Sequence, residues 1–280
     1  MSLVHFPEYR AYEQARIRAS DAIMALLAGS RLAENTLQLT AGSTRLLPEI
    51  FPAVPHIRRM NLSTANAQSL LAEAETHLSA MAVPYALAIH EDFVHTCFDL
   101  LIRAGQMTQA EADTTKAYSM HATFERKVGQ SLPRDSIQQF HLIRQMRNAV
   151  IHAGGMPETR LIQAAGSLSQ SAQDQWIKVT GEHPQTRITP GVPVTFSHGE
   201  LILALAVTKR ISQEMNYLLR DRLKREVWAD ISLEDFESQH ATLKHISQKT
   251  RKLPGFLNTY YSPLNLTSGE LNSAIQRAGW

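Results

Sequence analysis

Apolar residues return every three or four positions along most of this chain, in stretches bounded by residues that start and stop helices. That period is the 3.6-residue repeat of an amphipathic helix, not the alternation of a half-buried strand, so the expected architecture is mostly α. A first helix over Tyr9–Ala28 carries Ile17, Ile23, Met24 and Leu27 and is expected to end at Gly29. The proline-rich TAGSTRLLPEIFPAVPH reads as a loop. A second helix from Thr64 to Met81 should stop before Pro84, because a proline restricts the residue ahead of it. Pro84 then suits the first turn of a third helix, which bears Leu87, Phe93, Val94, Cys97, Leu100 and Leu101 and closes at Gly105.

Capping boxes mark several later starts, since a Ser or Thr and an acidic residue three positions on can satisfy each other's backbone donors. Thr108 with Glu111 opens a fourth helix to about Val128, and Asp135 caps a fifth with an apolar stripe of Ile137, Phe140, Ile143 and Val150. Ser197 with Glu200 precedes a long helix to about Val227, while Ser232 with Asp235 and Thr267 with Glu270 are expected to open two more. Residues 156–196 differ: DQWIKVTGEHPQTRITPGVPVTF has β-branched runs split by Gly and Pro, and reads as an insertion with two or three short strands.

With 28 Lys and Arg against 26 Asp and Glu, the net charge of +2 leaves no global field to draw in a polyanion, so nucleic-acid contact must come from local patches. The single cysteine, Cys97, excludes an intramolecular disulfide framework, suits a reducing compartment and reads as a small buried hydrophobe. The start MSLVHFPEYRAYEQAR lacks a secretory pattern, and the apolar run ELILALAVTKR is too short to span a bilayer; the expectation is a soluble, cytoplasmic protein without membrane contact. The sequence has no P-loop, dinucleotide fingerprint, nucleophile elbow or paired-cysteine zinc signature, and His90, His95 and His141 lack metal-ligand spacing, so no cofactor and no metal is expected.

The stretch that speaks of chemistry is QMRNAVIHAGG, residues 145–155. Gly154 or Gly155 can end a helix in the left-handed conformation, which puts His152 in a last turn whose open carbonyls favour a cation. An imidazole that can be charged near neutrality is a proton-transfer group. Asn148 lies four residues before His152, about 40° round the helix, while Arg147 is about 140° away and could reach a shared ligand only through its long side chain. An amide, a guanidinium and an imidazole together suit an anionic phosphate whose displacement needs proton transfer.

In this setting Arg147, Asn148 and His152 resemble the signature of the HEPN superfamily: an arginine, a polar residue and a histidine four to six residues after the arginine. The resemblance covers roughly Pro84–Val227 as a helical bundle, with 156–196 as an insertion. Residues 1–83 and 228–280 then read as small helical N- and C-terminal extensions. It implies a dimeric, metal-independent endoribonuclease, in which the RNA 2′-hydroxyl attacks the neighbouring phosphate. Arg147 would hold the scissile phosphate, His152 would move a proton and Asn148 would orient the substrate or the histidine.

By the same analogy an earlier helix supplies an acidic or polar group, for which Glu91, Asp92 and His95 are the candidates. A toxin or antiviral defence role, with a cognate inhibitor or antitoxin as partner, is the biology so implied. The other reading is a non-catalytic HEPN-like module that binds RNA or a protein through Arg147 and Asn148. KHISQKTRKLPGFLNTYYSP adds a candidate RNA-contact patch: Lys244, His245, Lys249, Arg251 and Lys252 for phosphates, with Phe256, Tyr260 and Tyr261 for stacking.

Overall fold

In the computed structural model, residues 2–243 and 245–279 are described. The helices are α1 (Pro7–Gln38), α2 (Leu47–Ile50), α3 (Thr64–Ala72), α4 (Ala74–Arg103), α5 (Gln109–Thr114), α6 (Met120–Val128) and α7 (Arg134–His152). There follow α8 (Thr159–Gly166), α9 (Gln170–Thr180), α10 (Pro184–Arg187), α11 (His198–Arg222), α12 (Arg225–Gln239), α13 (Ile246–Tyr260) and α14 (Ser268–Ala278). Single 3-10 turns occupy Ile57–Arg59 and Ser262–Leu264. The fold is all-α, and among the described residues the β structure amounts to an isolated antiparallel bridge between Leu46 and Ser63.

The short strands expected over 156–196 are therefore a misreading. Ser169 caps α9 by accepting from the Ala172 N–H at 3.2 Å, and Ala172 and Trp176, one turn apart, bury their side chains completely. A helical stripe thus outweighs the β-branched Ile177, Val179 and Thr180, which fall in the last turn before Gly181 ends the helix at φ +79°. Gly29 does not end α1 either; the helix runs through it to Gln38, since one internal glycine costs only about 1 kcal/mol. The break expected before Pro84 lies instead at Glu73, and Pro84 sits inside α4. The fourth helix is interrupted between α5 and α6, and α11 stops at Arg222 rather than Val227.

The chain packs as two compact units, both discontinuous in sequence. The first comprises Met1–Arg16, Leu87–His141 and Ala206–Trp280. Its core is aromatic: Tyr12 stacks on Phe93 with centroids 4.4 Å apart, and Phe6 meets Trp228 at 5.6 Å. Cys97 is wholly buried there, and burial pushes its thiol well above the ordinary value, as suits a small apolar filler.

Two buried polar clusters in this unit join partners distant in sequence. Ser232 and Asp235, expected to open a helix, lie buried inside α12. The Asp235 carboxylate accepts from Arg10 at 2.9 and 2.7 Å and from the Tyr261 hydroxyl at 2.7 Å, so no cap is left for it to make. His90 stands between His121 and Ser212, with ring nitrogens 2.9 and 3.0 Å from them.

The second unit comprises Ile17–Ala86 and Leu142–Leu205. Its helices α8 and α9 both contact α10, and Leu161, Ala165, Trp176, Phe196 and Leu201 are buried in it. Of the Ser197–Glu200 box one half forms, the Ser197 N–H donating to Glu200 at 2.8 Å, while the Ser197 hydroxyl accepts from the Gly199 N–H at 3.1 Å; the same buried carboxylate accepts from Arg187 at 3.1 Å. These contacts fix the start of α11 against the loop that returns from α10.

Candidate functional site

Helix α7 ends as its two glycines foretell. The Ala149 carbonyl accepts from Ala153 at 3.0 Å and from Gly155 at 2.9 Å, a closure that needs the left-handed φ of +59° at Gly154 and +85° at Gly155. Gly155 is further constrained, because a Cβ there would stand 2.9 Å from the Val194 carbonyl oxygen. The Val194 N–H donates to the Gly155 carbonyl at 2.8 Å, which pins the exit of α7. The chain then turns into α8, whose N-cap Glu158 makes no side-chain cap bond.

Between the end of α7 and the start of α8 lies a cleft of ≈ 320 Å³. Its polar wall is Arg144, Gln145, Asn148 and His152 from α7, with Glu158 and Arg160 from the α8 side; Ala149, Ala153 and Leu161 give it an apolar base. Arg144, Asn148 and His152 recur every four residues, each about 40° round the helix from the last, so one continuous stripe faces the opening. His152 is exposed and Asn148 half-buried.

Of the three motif residues, then, Asn148 and His152 share the cleft. Arg147 is half-buried and does not line it. Arg144 and Arg160 do, and reasoning from the sequence missed both. The four-residue recurrence from Arg144 to His152 was the available signal for the first. Nothing local announces Arg160, whose approach depends on how the chain turns after Gly155.

The remaining candidates do not join this cleft, whose lining comes wholly from residues 144–161. Glu91, Asp92 and His95 lie on α4 within the first unit; Glu91 is half-buried, Asp92 and His95 are exposed, and the His95 ring meets Phe98 edge-on at 5.8 Å. In the basic patch, Lys249 pairs with Glu237 at 2.8 Å, while Arg251 and Lys252 are exposed on α13. Lys244 lies outside the described residues. Stacking by that patch's aromatics is corrected: Phe256 and Tyr261 are buried, and Tyr260 carries the Arg10 guanidinium 4.5 Å from its ring centroid.

Among the described residues, no group of three or more His, Cys, Asp or Glu side chains is placed to hold a metal ion, and no helix is long and apolar enough to cross a membrane. No family model, curated protein or solved structure matches the chain.

Proposed function

We propose that this protein is a metal-independent endoribonuclease of HEPN type, acting as a homodimer. The observation that carries the reading is that Asn148 and His152 open, one turn apart, into a cleft that also holds two guanidinium groups. An anion enters such a cleft readily, and the imidazole is exposed to it.

In the proposed reaction His152 takes the proton of the ribose 2′-hydroxyl, and the 2′-oxygen attacks the adjacent phosphorus. The bond from phosphorus to the 5′-oxygen breaks, and that oxygen leaves as a 5′-hydroxyl, taking up the proton that His152 removed, so the imidazole ends neutral as it began. The products are a 2′,3′-cyclic phosphate and a 5′-hydroxyl end. Asn148 orients the ribose or the imidazole. Arg147, on another face of α7, holds the scissile phosphate at the cleft of a second copy, and this is why one chain does not suffice.

A toxin or antiviral role, restrained by an inhibitor or antitoxin, is the setting in which such an activity would serve a cytoplasmic protein. The competing reading is a non-catalytic module that binds RNA or a protein partner. One observation favours it, the position of Arg147 away from the cleft that takes Asn148 and His152.

Incubation of purified protein with total RNA in the presence of a chelator separates the two. The wild type cleaves, and His152→Ala loses a factor of about 10² to 10⁴ with an unchanged melting temperature, because the side chain is exposed. Cleavage restored only by added Mg²⁺, or equal cleavage by both proteins, would overturn the proposal.

A further inference from the structure

The cleft holds more cationic reach than the reaction centre uses. A fork-shaped guanidinium engages both non-bridging oxygens of one phosphate, so Arg147 alone can occupy the scissile group. Arg144 and Arg160 line the same cleft as His152 and come from two helices on either side of the turn at Gly154 and Gly155. The turn between the two helices is braced by the Gly155–Val194 pairing at 2.8 Å, so the two groups are presented from either side of a closed turn.

Resting on the ribonuclease reading, we infer that Arg144 and Arg160 form a clamp for a second backbone phosphate, the neighbour of the scissile one, and that the substrate is an unpaired RNA strand carrying at least two consecutive phosphates. A cleft of ≈ 320 Å³ stands at the lower end of the range for small-ligand pockets, and admits a single stretch of backbone rather than a duplex. Glu158, also in the cleft, sets the sign of a control. Its carboxylate opposes a phosphate, so removing its charge strengthens binding if the ligand is the anion, and weakens binding if Glu158 accepts hydrogen bonds from a base or ribose.

The test uses the full chain and a fluorescent single-stranded RNA made entirely of 2′-O-methyl nucleotides, which binds without being cut, with anisotropy read at several salt concentrations. Arg160→Ala and Arg144→Ala should each weaken binding about tenfold or more, and each should reduce the slope of log affinity against log salt by about 0.7. Glu158→Gln should tighten it, and a duplex of the same sequence should compete poorly. Arg160 is exposed, so Arg160→Ala keeps the test valid even if Arg144→Ala fails to fold.

Wild-type affinity in Arg160→Ala, weaker binding by Glu158→Gln, or equal competition by duplex would overturn the clamp. A wild type that binds no RNA overturns both the clamp and the ribonuclease reading. A protein that binds through these arginines yet leaves ordinary RNA uncut keeps the clamp and loses the nuclease; one that cuts RNA regardless of Arg144 and Arg160 keeps the nuclease and loses the clamp.

Discussion

Nε2 of His90 lies 2.9 Å from Nε2 of His121, so only one of these two buried nitrogens can carry a hydrogen. Their neighbours decide which. Ser212 Oγ has one proton, given either to the Tyr12 hydroxyl or to the Thr208 carbonyl, each at 2.8 Å, and Tyr12 donates to the same carbonyl at 3.3 Å. With its proton on one of these two oxygens, Ser212 accepts from His90 Nδ1 at 3.0 Å, and His90 Nε2 then accepts from His121.

The first prediction concerns acid. Burial lowers the His90 pKa from 6.5 to about 3, so the folded protein keeps this ring neutral at pH values where the unfolded chain protonates it. Its contribution is present in full above pH 6.5 and is lost as pH falls from there towards 3, at up to about 1.4 kcal/mol per pH unit. Urea midpoints at several pH values check this. His90→Phe should be less stable at neutral pH and should show a shallower loss of stability in acid than the wild type.

Arg10 and Asp235 give the second. The Asp235 side chain is 2% exposed, and Arg10 supplies two of its hydrogen bonds. Arg10→Ala leaves a buried carboxylate without its cation and should cost about 3–5 kcal/mol by chemical denaturation. Arg10→Lys should also be clearly destabilised, because an ammonium cannot reproduce the fork. A loss below about 1 kcal/mol in Arg10→Ala would show that the ion pair is not needed for the fold.

The two glycines after His152 should respond differently, although both have positive φ. Nothing stands within 4 Å of a Cβ at Gly154, so Gly154→Asn should cost about 1 kcal/mol or less. At Gly155 the new atom meets the Val194 carbonyl, and Gly155→Asn should cost about 2–3 kcal/mol. Thermal melts of the two variants check the order; equal stability would mean that the α7 exit is not pinned.

What could be read from the sequence was what short-range chemistry decides. The Thr108–Glu111 and Thr267–Glu270 boxes form because both partners lie within one helical turn, and the Asn148–His152 pair shares a face for the same reason. Ser232 and Asp235 match the box pattern equally well, yet Arg10 and Tyr261 claim the carboxylate from 225 and 26 residues away. The contacts of His90 with His121 and Ser212 span 31 and 122 positions and left no local trace. In the stretch 156–196, β-branched composition suggested strands, whereas the i, i+4 pair Ala172 and Trp176 recorded the helix that formed. Arg160 reaches the cleft only through the turn that Val194 braces, a contact between residues far apart in sequence.

The dimeric centre gives a fourth prediction. Arg147→Ala and His152→Ala should each be inactive alone, and mixing them should restore cleavage, because a mixed dimer regains one centre with Arg147 from one chain and His152 from the other. Specific activity should fall as the protein is diluted through dimer dissociation. A monomer by sedimentation with undiminished specific activity would rule out a shared centre.

The most direct test of the account is the requirement for one 2′-hydroxyl. An oligonucleotide of 2′-O-methyl residues with a single internal ribonucleotide is incubated with the protein, and the product ends are identified by mass spectrometry. The account predicts one cut, immediately 3′ of the ribonucleotide, leaving a 2′,3′-cyclic phosphate and a 5′-hydroxyl, with none in His152→Ala. Cleavage at 2′-O-methyl positions, a 5′-phosphate product, or the same cut by His152→Ala would contradict it.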